Sequence, residues 1–508
     1  MSDGDAADAT RTVLTAITAE LPGAEDRPGQ VDMAARVASA IDSGRHLVVQ
    51  AGTGTGKTLA YLVPALMSGK RTIVATATKA LQDQLATKDL PFLADKLADH
   101  GLDVDWAVLK GRSNYVCLQR LREMSQAGQG ELELDEMSAI TRLEIKKIAE
   151  WAGGSRGGDQ AELDWSPSDT TWRAVSVGSD ECPGADRCPM GQECFAELAR
   201  RRAQVADVVV VNTHLYGLHV GSGGAILPDH DIVVFDEAHV LEDVMSDTVG
   251  AQVAPGRFVT VGATIRRFLD DPAIVGGVTD LAGLVREALA PHAGERLSHP
   301  IPQPITDALE EAQIRLARAG EAIQGIETAL EDAQQRKLRA QRMVARTMEA
   351  IEAALAAGDD TVPFVSGGTD APRLEIAPLD VGPTLSATVW GEHTAVLTSA
   401  TIPASLTRRV GLPPDATDDA DVGSPFDYEP QALLNCAMHL PEPRSPKYRD
   451  AANEEIIELI EAAGGRTLAL FTSWKAMDDA VETVRDAVDV PVLTQRDLPK
   501  PALVEKFA

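Results

Sequence analysis

Two short stretches carry residue types that together suit phosphoryl transfer. The first, Ala51-Gly-Thr-Gly-Thr-Gly56-Lys57-Thr58, lies between an apolar strand pattern and a helical one. Glycines at this spacing let successive backbone N–H groups turn inward onto phosphate oxygens, at the positive end of the following helix. Gly52, Thr53, Gly54, Thr55 and Gly56 are therefore candidate phosphate contacts. Lys57 would reach the β- and γ-phosphates of ATP, and Thr58 would offer its hydroxyl to Mg²⁺. The second stretch, Asp236-Glu237-Ala238-His239, follows the apolar run Asp231–Phe235. Asp236, at a strand end, is placed to hold Mg²⁺ through water, and Glu237 to orient and deprotonate an attacking water. His239 suits a relay between nucleotide and neighbouring segments. Taken singly, one stretch is a glycine-rich turn and the other an acidic helix start. As a pair, each after an apolar strand, they predict a nucleotide-hydrolysing site with Lys57, Asp236, Glu237 and His239 as its catalytic residues.

A second constellation is made of cysteines. The chain has five, and four of them, Cys117, Cys182, Cys188 and Cys194, are separated by 64, 5 and 5 intervening residues. In a chain without export signals, such clustering points to metal or redox chemistry before disulfides. Thiolates hold both iron–sulfur clusters and zinc. Zinc sites usually show close-spaced cysteine pairs, so the spacing leans away from a zinc ribbon, while zinc and unliganded buried thiols both stay open. Cys436 stands alone after Leu433-Leu434-Asn435 and is expected in a core. Arg336, Lys337, Arg339, Arg342 and Arg346 form a run of cations with no acid between Ala333 and Met348. On a helix they would contact nucleic-acid phosphates or form a solvated face; Arg200-Arg201-Arg202 is open to the same two readings.

The elements that must position these residues follow from hydrophobic patterning. Helical periodicity over Val31–Ile41, Leu59–Met67 and Leu81–Leu90 alternates with short apolar strands at His46–Gln50 and Thr72–Ala75. Val208–Val211, Ile232–Phe235 and Ala395–Leu397 are equally apolar, and all belong to one parallel α/β sheet. Lys57 and Asp236 lie 179 positions apart, and His239 and Ser399 lie 160 apart. Gaps of that size must hold folded inserts. In the second gap, Ile305, Leu309, Ala312, Leu316, Ala319, Ile323, Ile326, Leu330 and Ala333, then Val344, Met348, Ile351 and Leu355, step as a heptad seam. It is read as a helical hairpin packing on itself in preference to a dimerising coiled coil. The stretches 152–160 and 411–424 are linker-like. Beyond Pro425 a further α/β portion is expected, with a strand at Thr467–Phe471 and a helix at Lys475–Ala487.

Composition bounds the rest. Hydrophobic residues make up 44% and charged residues 24% of the 508, an ordinary globular balance. The net charge of −30 repels nucleic acid on average, so any such binding needs a local basic surface. No apolar run approaches the roughly 20 residues a membrane helix needs, and the acidic start Met1–Arg11 is no signal peptide. The expected location is cytoplasmic, with no membrane partner.

Together the P-loop and Asp-Glu-Ala-His stretches resemble a superfamily 2 helicase, and further segments narrow the resemblance. Gln30 in Arg27-Pro-Gly-Gln30 is similar to the adenine-reading glutamine ahead of the P-loop. Thr76–Leu85 resembles the segment that touches the nucleic-acid backbone, and Leu397-Thr-Ser-Ala-Thr401 the one that couples hydrolysis to movement. Lys110–Cys117 with the three later cysteines resembles the iron–sulfur insert of the DinG/XPD family, as do Asn212–Leu215 and Gly423–Tyr428 the family's other signatures. The resemblance implies ATP-dependent 5′-to-3′ unwinding of DNA, single-stranded or carrying a single-stranded tail, by a monomer active in repair or replication. It implies ATP, Mg²⁺ and a 4Fe–4S cluster held by Cys117, Cys182, Cys188 and Cys194. The implied fold class is α/β, with RecA-like parallel-sheet lobes, an iron–sulfur insert, a helical arch insert and a truncated second lobe. The first lobe would comprise residues 1–107, 206–244 and 376–424, the iron–sulfur insert 108–205, the arch 245–375, and the start of the second lobe 425–508. The family's Gln-x-x-Gly-Arg pattern does not occur before Ala508, and no exonuclease domain is expected ahead of the helicase region. The competing expectations are a catalytically incomplete ATP- and DNA-binding module and an RNA-directed DEAH helicase.

Overall fold

The computed structural model describes residues 3–21, 23–127, 139–266, 269–327, 331–497 and 500–507. Its strands, in chain order, are β1 (His46–Gln50), β2 (Thr72–Thr76), β3 (Trp106–Val108), β4 (Val208–Asn212), β5 (Ile232–Asp236), β6 (Ala251–Val253), β7 (Thr361–Ser366), β8 (Arg373–Pro378), β9 (Thr394–Ser399) and β10 (Thr417–Asp421). Seven of them form one parallel sheet in the order β10-β1-β9-β5-β2-β4-β3. The central strands are continuous Val/Ile/Leu/Ala runs because helices cover both faces. On one face Leu14, Met33, Val37, Tyr61, Leu62 and Leu93 pack against Val49, Val74 and Val234. On the other, Tyr216, Phe235, Leu241, Leu385 and Trp390 pack against Ile73, Val209 and Leu397. Full burial of each such side chain is worth about 1.5–3 kcal/mol.

Two elements of this sheet depart from the sequence expectation. The stretch 411–424, read as a linker, contains β10, which pairs in register with β1 from His46↔Thr417 to Gln50↔Asp421. It lies at the sheet edge with exposed aspartates, and Arg45 grips both carboxylate oxygens of Asp418 at 2.9 and 2.7 Å. The expected helix Leu81–Leu90 is split: Lys79–Gln84 is α-helical, Leu85–Asp89 makes a π-turn, and Leu90–Ala98 resumes the α-helix.

The segment between β5 and β9 builds a helical bundle beside an antiparallel sheet of β6-β8-β7 that the sequence did not suggest. Helices Gln303–Gln324 and Glu331–Leu355 pack as the hairpin read from the heptads, with Ile305, Leu309, Ala312, Leu316, Ala319, Ile323, Val344 and Ile351 in its core. Leu330 lies outside the described residues. The segment between β3 and β4 has its own small core of Tyr115, Val116, Ile148, Trp172, Val175 and Phe195.

Residues 426–508 form a separate compact unit. Its helices include Tyr448–Ala462 and Trp474–Ala487. Thr467–Phe471 is not a strand: among the described residues of this unit no strand lies beside it, and an unpaired segment has no ladder to join. Its Leu468 and Leu470 are exposed. Cys436 is exposed too, not in a core.

Candidate active site and cysteine cavity

Strand order explains why residues so far apart in sequence meet. β9 lies between β1 and β5, with Gln50 opposite Ser399 and Asp236 opposite Thr398. The carboxyl ends of these three strands therefore bring the P-loop, Ser399 and the Asp-Glu-Ala-His stretch side by side, where open α/β sheets bind ligands.

The P-loop turns on two glycines with positive φ, Gly54 at 85° and Gly56 at 84°, a conformation only glycine adopts at little cost. Gly56 caps helix Lys57–Met67, so Lys57 and Thr58 open that helix. Thr55 Oγ1 donates to the Gly52 carbonyl at 2.7 Å, closing the loop internally, while Thr53 is exposed on its outer side. Two residues from the preceding segment brace it: Arg27 Nη1 donates to the Gly54 carbonyl at 2.9 Å and Gln30 Nε2 to the Gly56 carbonyl at 3.0 Å. Gln30 is thus buried against the loop. Gly52 N donates to the Gly423 carbonyl at 2.9 Å, and a Cβ at Gly52 would come within 2.9 Å of Ser424 Cα.

At the centre is a chain of polar contacts. Lys57 Nζ lies 3.0 Å from Glu237 Oε1. The other oxygen, Glu237 Oε2, accepts from Ser399 Oγ at 3.1 Å, and Ser399 Oγ is 2.8 Å from His239 Nδ1. Since Ser399 spends its proton on Glu237, this geometry has His239 donating from Nδ1. Glu237 sits at φ 59°, the sole non-glycine with positive φ among the described residues, a strained position of the kind concentrated at functional sites. Asp236, at the end of β5, is buried; its Oδ1 accepts from Glu237 N at 3.1 Å and its Oδ2 from Tyr61 Oη at 3.2 Å. Burial raises the Asp236 pKa above the usual carboxylate value, with Lys57 opposing the rise. Tyr61 was not singled out from the sequence, although its place one turn after Lys57 on the same helix face was the available signal. Burial beside Asp236 holds its hydroxyl well above the usual phenol pKa.

The flanking signatures act as local caps. Thr78 Oγ1 accepts from Leu81 N at 3.3 Å, and Asn212 Oδ1 from Leu215 N at 2.9 Å, each opening a helix at a strand's carboxyl end.

Cys117, Cys182, Cys188 and Cys194 line one cavity of about 30 Å³. Burial pushes the Cys117 thiol up to about 11 and raises those of Cys188 and Cys194. Among the described residues no group of three or more His, Cys, Asp or Glu is gathered closely enough to hold a single metal ion. The cavity is rimmed by Arg112, which pairs with Glu197, and by Arg339, which lies on helix Glu331–Leu355. The cation run on that helix is divided between buried and exposed positions, with Arg342 and Arg346 exposed. Arg339 is buried, with Nη1 and Nη2 each 3.2 Å from Glu123. Arg342 donates to the Cys182 carbonyl, and Lys337 caps the Gln324 and Ile326 carbonyls at 2.9 and 2.6 Å. Arg346 pairs on the open surface with Glu349. Arg200 is half-buried, and burial together with the neighbouring Arg112 lowers its pKa.

A parallel sheet presenting a P-loop, an acidic pair and a serine at adjacent strand ends defines a nucleotide hydrolase of the helicase type. The DEAD/DEAH box helicase family matches residues 32–126. The ATP-dependent helicase DinG of Mycobacterium tuberculosis is 36% identical over 97% of this chain and 78% of its own length. The ATP-dependent DNA helicase YoaA of Escherichia coli is 31% identical over 96% of this chain and 78% of its own. The chain belongs to this DinG/YoaA family of ATP-dependent helicases. A solved XPD helicase shares the fold, with a TM-score of 0.52 at 14% identity over 95% of this chain and 78% of that one. No helix among the described residues is long and apolar enough to cross a membrane.

Proposed function

We propose that the protein is an ATP-dependent DNA helicase that moves 5′-to-3′ on single-stranded or tailed DNA as a monomer, in repair or replication. The observation that carries the reading is the chain Lys57–Glu237–Ser399–His239, which joins the P-loop to two other strand ends. Backbone N–H groups of Gly52 to Gly56 would cradle the ATP phosphates, and Lys57 would leave Glu237 for the β/γ-oxygens. The freed Glu237 carboxylate would then accept the proton of the attacking water, with Ser399 and His239 sensing that change. Thr58 and Asp236 would hold Mg²⁺, which neutralises charge on the phosphates; the buried Asp236 carboxylate, steadied by Tyr61, fits that role. Gln30, set against Gly56, would read the adenine edge. Residues 1–107, 206–244 and 376–424 would form the motor lobe, 108–205 the iron–sulfur insert, 245–375 the arch, and 425–508 part of a second lobe.

Cys117, Cys182, Cys188 and Cys194 would hold a 4Fe–4S cluster. Their four soft donors on one half-buried cavity with a cationic rim fit such a group, which when bound supplies a structural cross-link and a one-electron redox centre. Strand displacement on duplexes with a 5′ or a 3′ tail tests the polarity: release of the 5′-tailed substrate alone is expected, and preference for the 3′ tail would overturn it. Anaerobically purified protein should carry about four iron atoms per chain and lose them in Cys188→Ser; zinc in their place would overturn the cluster.

A further inference from the structure

The arch helix Glu331–Leu355 reaches into the cysteine cavity of a segment more than a hundred residues earlier in the chain. Gln335 and Arg339, one helical turn apart, line that cavity beside the four thiols and are both buried. Arg339 spends its two terminal nitrogens on Glu123, itself buried and also accepting from Gln119 Nε2 at 3.1 Å. Its third nitrogen, Nε–H, is buried with no partner, as is Gln335 Oε1. A buried guanidinium donor left without a partner is destabilising, and such groups call for an explanation. A four-thiolate cluster supplies one: its sulfurs accept hydrogen bonds, and its net negative charge is stabilised by a nearby cation. The Gln335 amide can turn its NH₂ to the same side.

We propose that Arg339, with Gln335, is an outer-sphere donor to the cluster, so that the arch as well as the insert holds the group and tunes its electron affinity. This rests on the cluster reading above. Glu123 sets the strength of the effect, because it neutralises the same guanidinium from the insert side. The Arg342 contact to the Cys182 carbonyl and the 2.6 Å pair Arg257–Asp180 fasten the same two segments nearby. The arrangement makes loss of the cluster an event felt by the arch helix.

The test is the midpoint potential of the anaerobic, iron-loaded protein, titrated with dithionite and followed by visible absorbance and electron paramagnetic resonance. Arg339→Gln removes positive charge and a donor, which disfavours the reduced, more negative cluster. The reduction equilibrium should fall about tenfold, a shift of about 59 mV to more negative potential for one electron. Glu123→Gln leaves the guanidinium unneutralised and should move the potential in the opposite direction. Arg339→Lys, which keeps the charge, should stay nearer to wild type than Arg339→Gln. Opposite shifts in the two neutralising variants cannot arise from general loosening of the fold, and Glu123→Gln keeps the test open should Arg339→Gln fail to fold. Full iron in the wild type with the potential unmoved, or moved the same way by both variants, would overturn the inference while leaving the cluster. Wild-type protein without iron would overturn the cluster reading and this inference with it.

Discussion

Glu237→Gln is expected to separate nucleotide binding from hydrolysis. The Glu237 carboxylate lies 3.0 Å from the Lys57 ammonium, so ATP phosphates compete with it for the lysine. At that distance the Coulomb attraction is about 5 kcal/mol for an effective dielectric of about 20, and most of it is offset by the hydration the two groups give up. With side-chain exposures of 14% for Lys57 and 27% for Glu237, solvent screens the pair, and a net worth of about 1 kcal/mol is the appropriate scale. Glutamine keeps an acceptor for the ammonium but not the charge. ATP should therefore bind about fivefold more tightly to the variant, while turnover falls by about 100-fold or more for want of the base. Titration with a fluorescent ATP analogue reads the first quantity, and single-turnover phosphate release the second. Unchanged or weaker nucleotide binding in Glu237→Gln would refute the competition between glutamate and phosphate for Lys57.

Tyr61→Phe takes a hydrogen bond from the buried Asp236 carboxylate; it should cost about 1.5–3 kcal/mol in stability and raise the Mg²⁺ concentration needed for half-maximal ATP hydrolysis. An unaltered Mg²⁺ requirement would remove Tyr61 from the site. His230 stacks on His393 at 4.0 Å and bonds Tyr216 Oη at 3.1 Å, and burial lowers its pKa to about 3. Because it is neutral when folded and protonates more readily when unfolded, its contribution is intact above about pH 6.5 and is lost as pH falls toward 3, by up to about 1.4 kcal/mol per pH unit. His230→Gln should accordingly flatten the decline in denaturant-measured stability between pH 6.5 and 5, and an equally steep decline would count against it. Leu316→Ala in the helical hairpin, where Leu316 is fully buried, should destabilise that bundle by about 2–5 kcal/mol. Hydrogen exchange over Gln303–Gln324 checks it, and protection equal to wild type would mean the hairpin core is misassigned.

What could be read from the sequence was local and strongly patterned. A strand, a glycine loop and a helix are contiguous in the P-loop, and the acidic pair directly follows β5, so burial and chemistry shared one window. The heptad steps from Ile305 to Ile323 likewise announced their buried face. The misses need information from across the fold. β10 is an edge strand written Thr-Asp-Asp-Ala-Asp, whose polar residues face solvent and whose pairing is fixed by β1 and Arg45. Thr467–Phe471 shows the reverse: good strand residues without a neighbouring strand among the described residues of their unit. Charge runs are equally silent about partners, since nothing between Ala333 and Met348 reveals that Arg339 meets Glu123, 216 positions away. Within the site, Lys57, Asp236 and Glu237 declared themselves by type and spacing. The hydroxyl of Ser399 acquires its role only when β9 is seen between β1 and β5, and Arg27 and Tyr61 only when their partners, the Gly54 carbonyl and Asp236, are in place.

The most direct test of the site's role is steady-state ATP hydrolysis with and without single-stranded DNA, in the wild type and in Lys57→Ala. Lys57 would place its charge on the β/γ-phosphates, and the motor would use hydrolysis to move on DNA. The wild type should therefore hydrolyse ATP faster when DNA is added, and Lys57→Ala should lose turnover in both conditions while still binding the strand. Hydrolysis indifferent to DNA, or persisting in Lys57→Ala at a near wild-type rate, would contradict the assignment of this site as the engine of a DNA helicase.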